Sequence, residues 1–448
     1  MKSAEDRLAA LGTKIPDILL PRKHIDLSTW AIIACDQFTQ DRDFWDNLSQ
    51  TIGSKPSLLP MIFPEVYLED PDKNERIMKI RQAMQEAIQS DYFDEPIHGL
   101  MYIERSTPYH FKRRGLVLAL DLERYDWQSE KRLLIRATEG TVKERLPPRI
   151  EIRRGAPLES PHIIVLIDDP SRRLVEGFGE RIKNRQPRYS TTLLANAGTI
   201  EGWTFESEDD FTYLADNLER LVREAIERDG RRSPGEEPFL YAVGDGNHSL
   251  ATAKAVWEEY KSIHGNDRDI MNHPARYALV EIENIYDKGI DFEPIHRIIF
   301  GTTLHEIEDL LQKKLSAQIE PISNAEDLME ALKNSKQGII QYGLVSSSGL
   351  RLLQISGTAV ATVPLQPVLD SFLEENKERV SIDYIHGDRE TAELALEEQN
   401  RVALLLPPVG KEDLFRTVGK SGPLPRKSFS MGEGIEKRFY LECRRLFV

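Results

Sequence analysis

The stretch Tyr241-Ala-Val-Gly-Asp-Gly-Asn-His-Ser-Leu-Ala-Thr-Ala-Lys254 decides how this chain is read. Phe239-Leu-Tyr-Ala-Val243 is a short apolar run of strand length, and Ser249 to about His264 carries the spacing of a helix. Between them, Gly244 and Gly246 let the backbone turn sharply and bring its N–H groups close to a ligand. A helix starting there offers unpaired N–H groups and the positive end of its dipole to an anion. Gly244, Asp245, Gly246, Asn247, His248 and Ser249 are therefore the candidate phosphate-binding residues. Lys254, just over one turn in, either adds a charge to that end or faces solvent. A histidine at position 248 suits donation to a phosphoryl oxygen or acid–base work. Asp245 suits a Mg²⁺ ligand or the partner that orients His248. The same residues also make a plain strand-to-helix turn, since Asp-Gly is common in turns and Asn or Ser caps helices. The spacing matches neither the P-loop nor the dinucleotide glycine pattern.

Outward from this loop, short apolar strands alternate with amphipathic helices, which predicts a mixed α/β fold. Trp30-Ala-Ile-Ile-Ala34 reads as a buried strand, followed by a helix from Asp41 to Ser49 and a longer one from Pro71 to Gln89. Leu100–Ile103, Leu116–Leu120, Arg132–Arg136 and Ile163–Ile167 have strand length, and Asp209 to Arg228 is helical. Tyr277 to Ile282 is another strand. After Phe300 come helices near Leu304–Leu315, Ala325–Lys333, Val363–Asn376 and Asp388–Glu398, interleaved with strands near Gly338–Tyr342, Leu350–Ile355, Tyr384 and Val402–Leu406. This predicts two domains, 1–300 and 301–448, the second a further mixed α/β domain.

The chain has 448 residues, 40% hydrophobic and 30% charged, which suits a globular protein and excludes a disordered one. A net charge of -15 argues against a general nucleic-acid binder, because phosphate neutralisation needs a basic surface. A local basic run, Arg145-Leu-Pro-Pro-Arg149 with Arg153-Arg154, reads as a solvated face. The 2 cysteines, Cys35 and Cys443, make no disulfide framework, so a reducing compartment is expected. No signal peptide and no window of membrane-span length is evident, which points to a cytoplasmic protein.

Other candidates lie at element ends. Glu139, in Thr138-Glu-Gly-Thr141, sits where a strand stops, as a catalytic group or as part of a cap. Asp36 follows a strand in the same way, as a base, a metal ligand or a turn residue. In Pro294-Ile-His-Arg297, Arg297 suits a bidentate clamp on a carboxylate or phosphate. In a strand, however, His296 and Arg297 face opposite ways. Pro425-Arg-Lys-Ser-Phe429 places two cations beside Ser428, and reads as a basic surface loop. The histidines form no zinc signature and no Gly-x-Ser-x-Gly elbow is present. Cys35 reads as a buried structural thiol.

Several of these segments together resemble a large bacterial and archaeal family of long uncharacterised status with a ParB/sulfiredoxin-like core. The carriers are Ile18-Leu-Leu-Pro-Arg22 with Ala34-Cys-Asp36, Phe63-Pro-Glu-Val-Tyr67, Arg136-Ala-Thr-Glu-Gly-Thr141, Gly244-Asp-Gly-Asn-His-Ser249, Pro294-Ile-His-Arg297, Ile382-Asp-Tyr384 and Pro425-Arg-Lys-Ser428. The resemblance runs nearly end to end. It implies a nucleotide-binding core in which Asp245, Gly246, Asn247 and His248 meet the phosphates of ATP or ADP, with Mg²⁺ at Asp245. It also implies likeness to free-serine kinases, hence phosphorylation of L-serine to O-phosphoserine as the leading activity. In that scheme His248 donates to the transferring group, Glu139 or Asp36 takes the hydroxyl proton, and Arg297, His296 or Arg136 holds the substrate. The alternative is a nucleotide-gated switch of ParB type with no small-molecule acceptor. Many relatives carry Asp-Gly-His-His-Arg in the loop, whereas this chain ends it with Ser249. One phosphate clamp is missing: either Arg297, Arg136 or Lys254 substitutes for it, or the ligand differs.

Overall fold

The computed structural model describes residues 2–127, 131–230, 234–334 and 338–447. The predicted mixed α/β class holds, in two compact units. The first comprises Met1–Ala137, Thr141–Ile290 and Glu433–Val448; the second comprises Thr138–Gly140 and Asp291–Gly432. The boundary expected at 300/301 thus falls inside the second unit. Its cause is the strand Phe292–Phe300, whose residues from Ile295 on pair with Ser381–His386 and from Arg297 on with Arg401–Leu405, so it cannot be cut from them. The C-terminal residues return to the first unit, where Phe439–Tyr440 pairs with Ile32–Ile33 and Arg444–Arg445 with Leu158–Glu159. Among the described residues no helix is long and apolar enough to cross a membrane.

The first unit is built on one sheet in the order Tyr189–Thr192, Thr199–Phe205, Leu100–Ser106, Arg113–Asp121, Tyr277–Asn284, Ile164–Ile167, Tyr241–Asp245, Ile135–Ala137. Its pairs are antiparallel except Tyr277–Asn284 with Ile164–Ile167 and Tyr241–Asp245 with Ile135–Ala137. Alternation along the strands serves two cores. Leu116, Leu118 and Leu120 pack with Leu214, Leu218, Leu250 and Trp257 from the helices Glu208–Asp229 and Asn247–His264. Val117, Met101 and Ile103 instead meet Trp30, Trp45, Leu48 and Leu441 on the other face. Ser207 and Asp210 form a capping box that starts the 22-residue helix Glu208–Asp229.

Trp30 is not in a strand. Asp26 accepts from Ser28 N at 3.1 Å and caps a short helix, Leu27–Trp30, so only Ile32–Ile33 is extended. The apolar run is buried as expected; a local cap outcompetes the ladder at its start.

The second unit is a fully antiparallel sheet, in the order Gln318–Ile322, Gly349–Ser356, Ile339–Ser346, Arg401–Leu405, Phe292–Phe300, Ser381–His386, with Phe429–Met431 added to Phe292–Phe300. Helices cover both faces. Leu304–Leu315 and Thr362–Glu375 pack on Ile299, Tyr342, Leu344 and Leu404, and Ala325–Lys333 and Asp388–Leu396 on Ile298, Val345, Ala403 and Leu405.

Candidate functional site

The strand Tyr241–Asp245 delivers the chain to Gly246, which is the N-cap of the 18-residue helix Asn247–His264. Gly246 has φ 82°, which favours glycine, and a Cβ there would lie 3.1 Å from the Ile163 side chain, which would have to give way. With glycine as N-cap there is no side chain to satisfy the first-turn amides, and the positive end of an 18-residue helix is left to whatever lies beyond it.

Three side chains dress this end. Asp245 accepts from Gly246 N through Oδ1 at 3.1 Å, which fixes the turn, and its Oδ2 lies 3.3 Å from Lys437 Nζ. Val142 N–H donates to His248 Nε2 at 3.2 Å, so in the neutral ring Nδ1 carries the proton and is the donor. Ser249 Oγ bonds His162 Nε2 at 2.6 Å, and His162 Nδ1 lies 3.0 Å from the Tyr440 hydroxyl, which is also 3.1 Å from Cys35 Sγ. Burial pushes the Cys35 thiol up, although the residue is only partly buried.

Lys437 does not stand out in the sequence, yet it brings a cation to the loop that ends in Ser249 instead of arginine. It is placed by a buried arginine. Arg105 donates to Ile435 O at 2.7 Å and Glu436 O at 2.8 Å, and also to Lys437 O, tying down the turn before Lys437. Arg113 donates to the same Glu436 carbonyl at 2.7 Å.

Asp36 is half-buried beside Cys35 and accepts from Gln37 Nε2 at 3.0 Å. Its charge, after burial, helps hold the Glu65 carboxyl above its usual range, against the opposing pull of Arg149. Arg149 Nε donates to Glu65 at 2.8 Å. Glu65 and Arg149 lie in segments quoted above as a family carrier and a basic run; their pairing is what the sequence did not show.

The remaining expected residues are placed elsewhere or occupied. Lys254 pairs with Glu258 at 2.6 Å, one turn along its own helix. Arg136 spends its guanidinium on Leu133 O at 3.0 Å and Glu237 O at 2.8 Å and stacks over Phe239. Glu139, His296 and Arg297 belong to the second unit. Burial raises the Glu139 carboxyl while the amides of Ser428, Lys427 and Phe429 oppose the rise. Those amides tie Glu139 to the Pro425–Phe429 loop. His296 and Arg297 do face opposite ways: His296 Nε2 meets Asp388 at 2.7 Å, and Arg297 Nη2 meets Gln366 at 2.9 Å in full burial.

Among the described residues no group of three His, Cys, Asp or Glu side chains forms a metal cage. Asp245 offers a single carboxylate, which fits Mg²⁺ only as an ion carried in on phosphate oxygens.

Residues 19–372 match the model of the family described as Protein of unknown function (DUF1015). No curated protein matches the chain. Among solved structures, a free serine kinase in complex with AMP is 12% identical, with 72% of this chain and 90% of that chain covered and a TM-score of 0.37. A conserved hypothetical protein from Pyrococcus furiosus is 11% identical, covering 74% and 94%, with a TM-score of 0.35. SbnI with C-terminal truncation from Staphylococcus aureus is 10% identical, covering 70% and 82%, with a TM-score of 0.33. By the match over residues 19–372, the chain belongs to the family described as Protein of unknown function (DUF1015).

Proposed function

We propose that this protein is a nucleotide-dependent phosphotransferase, with the nucleotide phosphates at the N-terminus of the Asn247–His264 helix and the hydroxyl of a small molecule as acceptor. Free L-serine is the first acceptor to test. The observation that carries the reading is a glycine-capped helix end, with Lys437 3.3 Å from Asp245 and His248 held by Val142 so that Nδ1 is its donor. Phosphoryl transfer needs positioned oxygens and neutralised charge more than covalent chemistry from the protein. The helix end and the 246–249 backbone bind the phosphates. Lys437 neutralises the charge that grows on the leaving oxygen, and His248 donates from Nδ1 to a phosphoryl oxygen. Asp36 accepts the proton of the acceptor hydroxyl as its oxygen bonds phosphorus, and the electron pair of the broken P–O bond leaves with the nucleotide. Mg²⁺ carried by the nucleotide and met by Asp245 would add further neutralisation.

Thermal unfolding of the full chain with ATP, ADP, CTP or pyrophosphate, with and without Mg²⁺, checks the binding half. A ligand at 100 times its Kd stabilises by about 2.7 kcal/mol. At least one nucleotide should raise Tm, and incubation with L-serine should then yield a product heavier by one phosphoryl group. Stabilisation without any phosphorylated product would favour a nucleotide-gated switch; no stabilisation by any of the four would end the phosphate reading.

A further inference from the structure

Ser249, in the first turn of the Asn247–His264 helix, bonds sideways to another segment: its Oγ meets Nε2 of His162, just before the strand Ile164–Ile167, at 2.6 Å. The Tyr440 hydroxyl stands on the far side of the imidazole, 3.0 Å from Nδ1, with the two rings edge to face at 5.3 Å. Tyr440 is buried, and its pairing with Ile32 fixes that end of the chain of bonds. The proton directions follow from counting. Tyr440 donates its one hydrogen to Cys35 Sγ at 3.1 Å, while its oxygen accepts from Cys35 N–H at 3.3 Å. Burial, with Cys35 and Asp36 nearby, holds this hydroxyl well above its usual range, so the hydrogen stays. His162 Nδ1–H must then donate to the Tyr440 oxygen, which leaves the lone pair on Nε2. Nε2 therefore accepts from the Ser249 hydroxyl. A hydroxyl on a base that a third group orients is the arrangement of an activated nucleophile. Ser249 and His162 are both partly exposed and line one cavity of about 150 Å³ with Tyr440 and Cys35, so a phosphorus centre has room to approach the pair.

We propose that Ser249, activated by His162, takes the terminal phosphoryl group of the bound nucleotide onto its own Oγ, and that this modification closes the nucleotide site. The proposal rests on the phosphate reading and adds an acceptor within the protein, competing with the small-molecule hydroxyl. Ser249 Oγ bonds phosphorus as its proton passes to His162 Nε2. The P–O bond to the rest of the nucleotide breaks, and its electron pair leaves with the shortened nucleotide. The product is a phosphoserine in the first helical turn, where its negative charge takes the place of the nucleotide phosphates.

Two phosphorus reagents test it on the full chain, with the modified residue located by peptide mass spectrometry. Diisopropyl fluorophosphate needs no nucleotide: attack by Ser249 Oγ expels fluoride, so the wild type should be labelled at Ser249. His162→Gln should be labelled about 10²-fold more slowly, the lower end of what a positioned base contributes. ATP with Mg²⁺ and no added acceptor should leave phosphoserine at 249, and protein so modified, freed of nucleotide, should show no further rise in Tm with ATP. Ser249→Ala should keep the wild-type tryptophan fluorescence and take neither modification. No fluorophosphate label at Ser249, or an equal labelling rate in His162→Gln, would overturn the activation. A Tm shift with ATP but no phosphoserine at 249 would overturn the transfer and leave the phosphate reading standing. Modified protein that still shifts with ATP would overturn the closing of the site. Fluorophosphate labelling at Ser249 without any nucleotide shift would overturn the phosphate reading, and the transfer with it, while the activation of Ser249 stands.

Discussion

Replacing His248 by alanine should cut phosphoryl-transfer turnover by about 10²–10³-fold, the usual loss when one preorganised donor is taken from a developing anion. The size follows from how the ring is held. Val142 N–H donates to Nε2 at 3.2 Å, which fixes the ring and leaves Nδ1 as its donor. A ring held before the reaction needs no reorganisation during it. The variant should fold normally, because His248 is half-exposed at the first turn of a helix whose core contacts come from Leu250, Ala253 and Trp257. The assay is steady-state turnover with whichever nucleotide and acceptor the screen identifies. Turnover within a few fold of wild type would remove His248 from the mechanism.

The second large effect is on stability. Arg105→Met should destabilise the first unit by about 3–5 kcal/mol, because it strips charged donors from three buried or part-buried carbonyls and each unsatisfied group costs about 1–3 kcal/mol before relaxation. Arg105 is 3% exposed, and its guanidinium meets backbone carbonyls, while Glu283 pairs with Arg113 and Glu281 with Arg438. Its loss frees the carbonyls of Ile435, Glu436 and Lys437, which then have to find other donors. All 5 tryptophans (Trp30, Trp45, Trp127, Trp203 and Trp257) lie in the first unit. Urea unfolding followed by their fluorescence therefore reports this unit, and its midpoint should fall sharply. Because Arg105 pins the turn before Lys437, nucleotide affinity should fall in the same variant even where it remains folded. An unchanged midpoint would show that Arg105 is not what holds the C-terminal segment.

Much of this is legible in the sequence wherever the cause is local. The helices Leu304–Leu315 and Ala325–Lys333 begin and end where expected because Thr303 and Asn324 cap them and their apolar stripes are regular. The turn at Gly246 is legible for the same reason: a glycine between a strand run and a helix run marks where the chain can turn, although Gly244 stays in the strand. Trp30 shows the limit of such reading. Its burial follows from its neighbours, but the competing Asp26 cap decides its conformation. What the sequence could not show is pairing across the chain. Lys437 reaches Asp245 only because the C-terminal residues return to the first unit and Arg105 pins them there. Lys254, the nearest cation in sequence, is captured by Glu258 one turn away. Proximity along the chain points to Lys254, whereas the tertiary fold brings Lys437 to Asp245.

The central claim is that a phosphate-bearing nucleotide binds at the Gly246-capped helix end with Lys437 as its cation. Calorimetric titration of ATP into wild type and Lys437→Glu tests it most directly, because the substitution reverses one charge at the loop. A charge-assisted contact contributes about 1.5–3 kcal/mol, so the wild type should bind at one site, and the variant at least about tenfold more weakly. Equal affinity in the two proteins, or no binding by the wild type, would contradict the account.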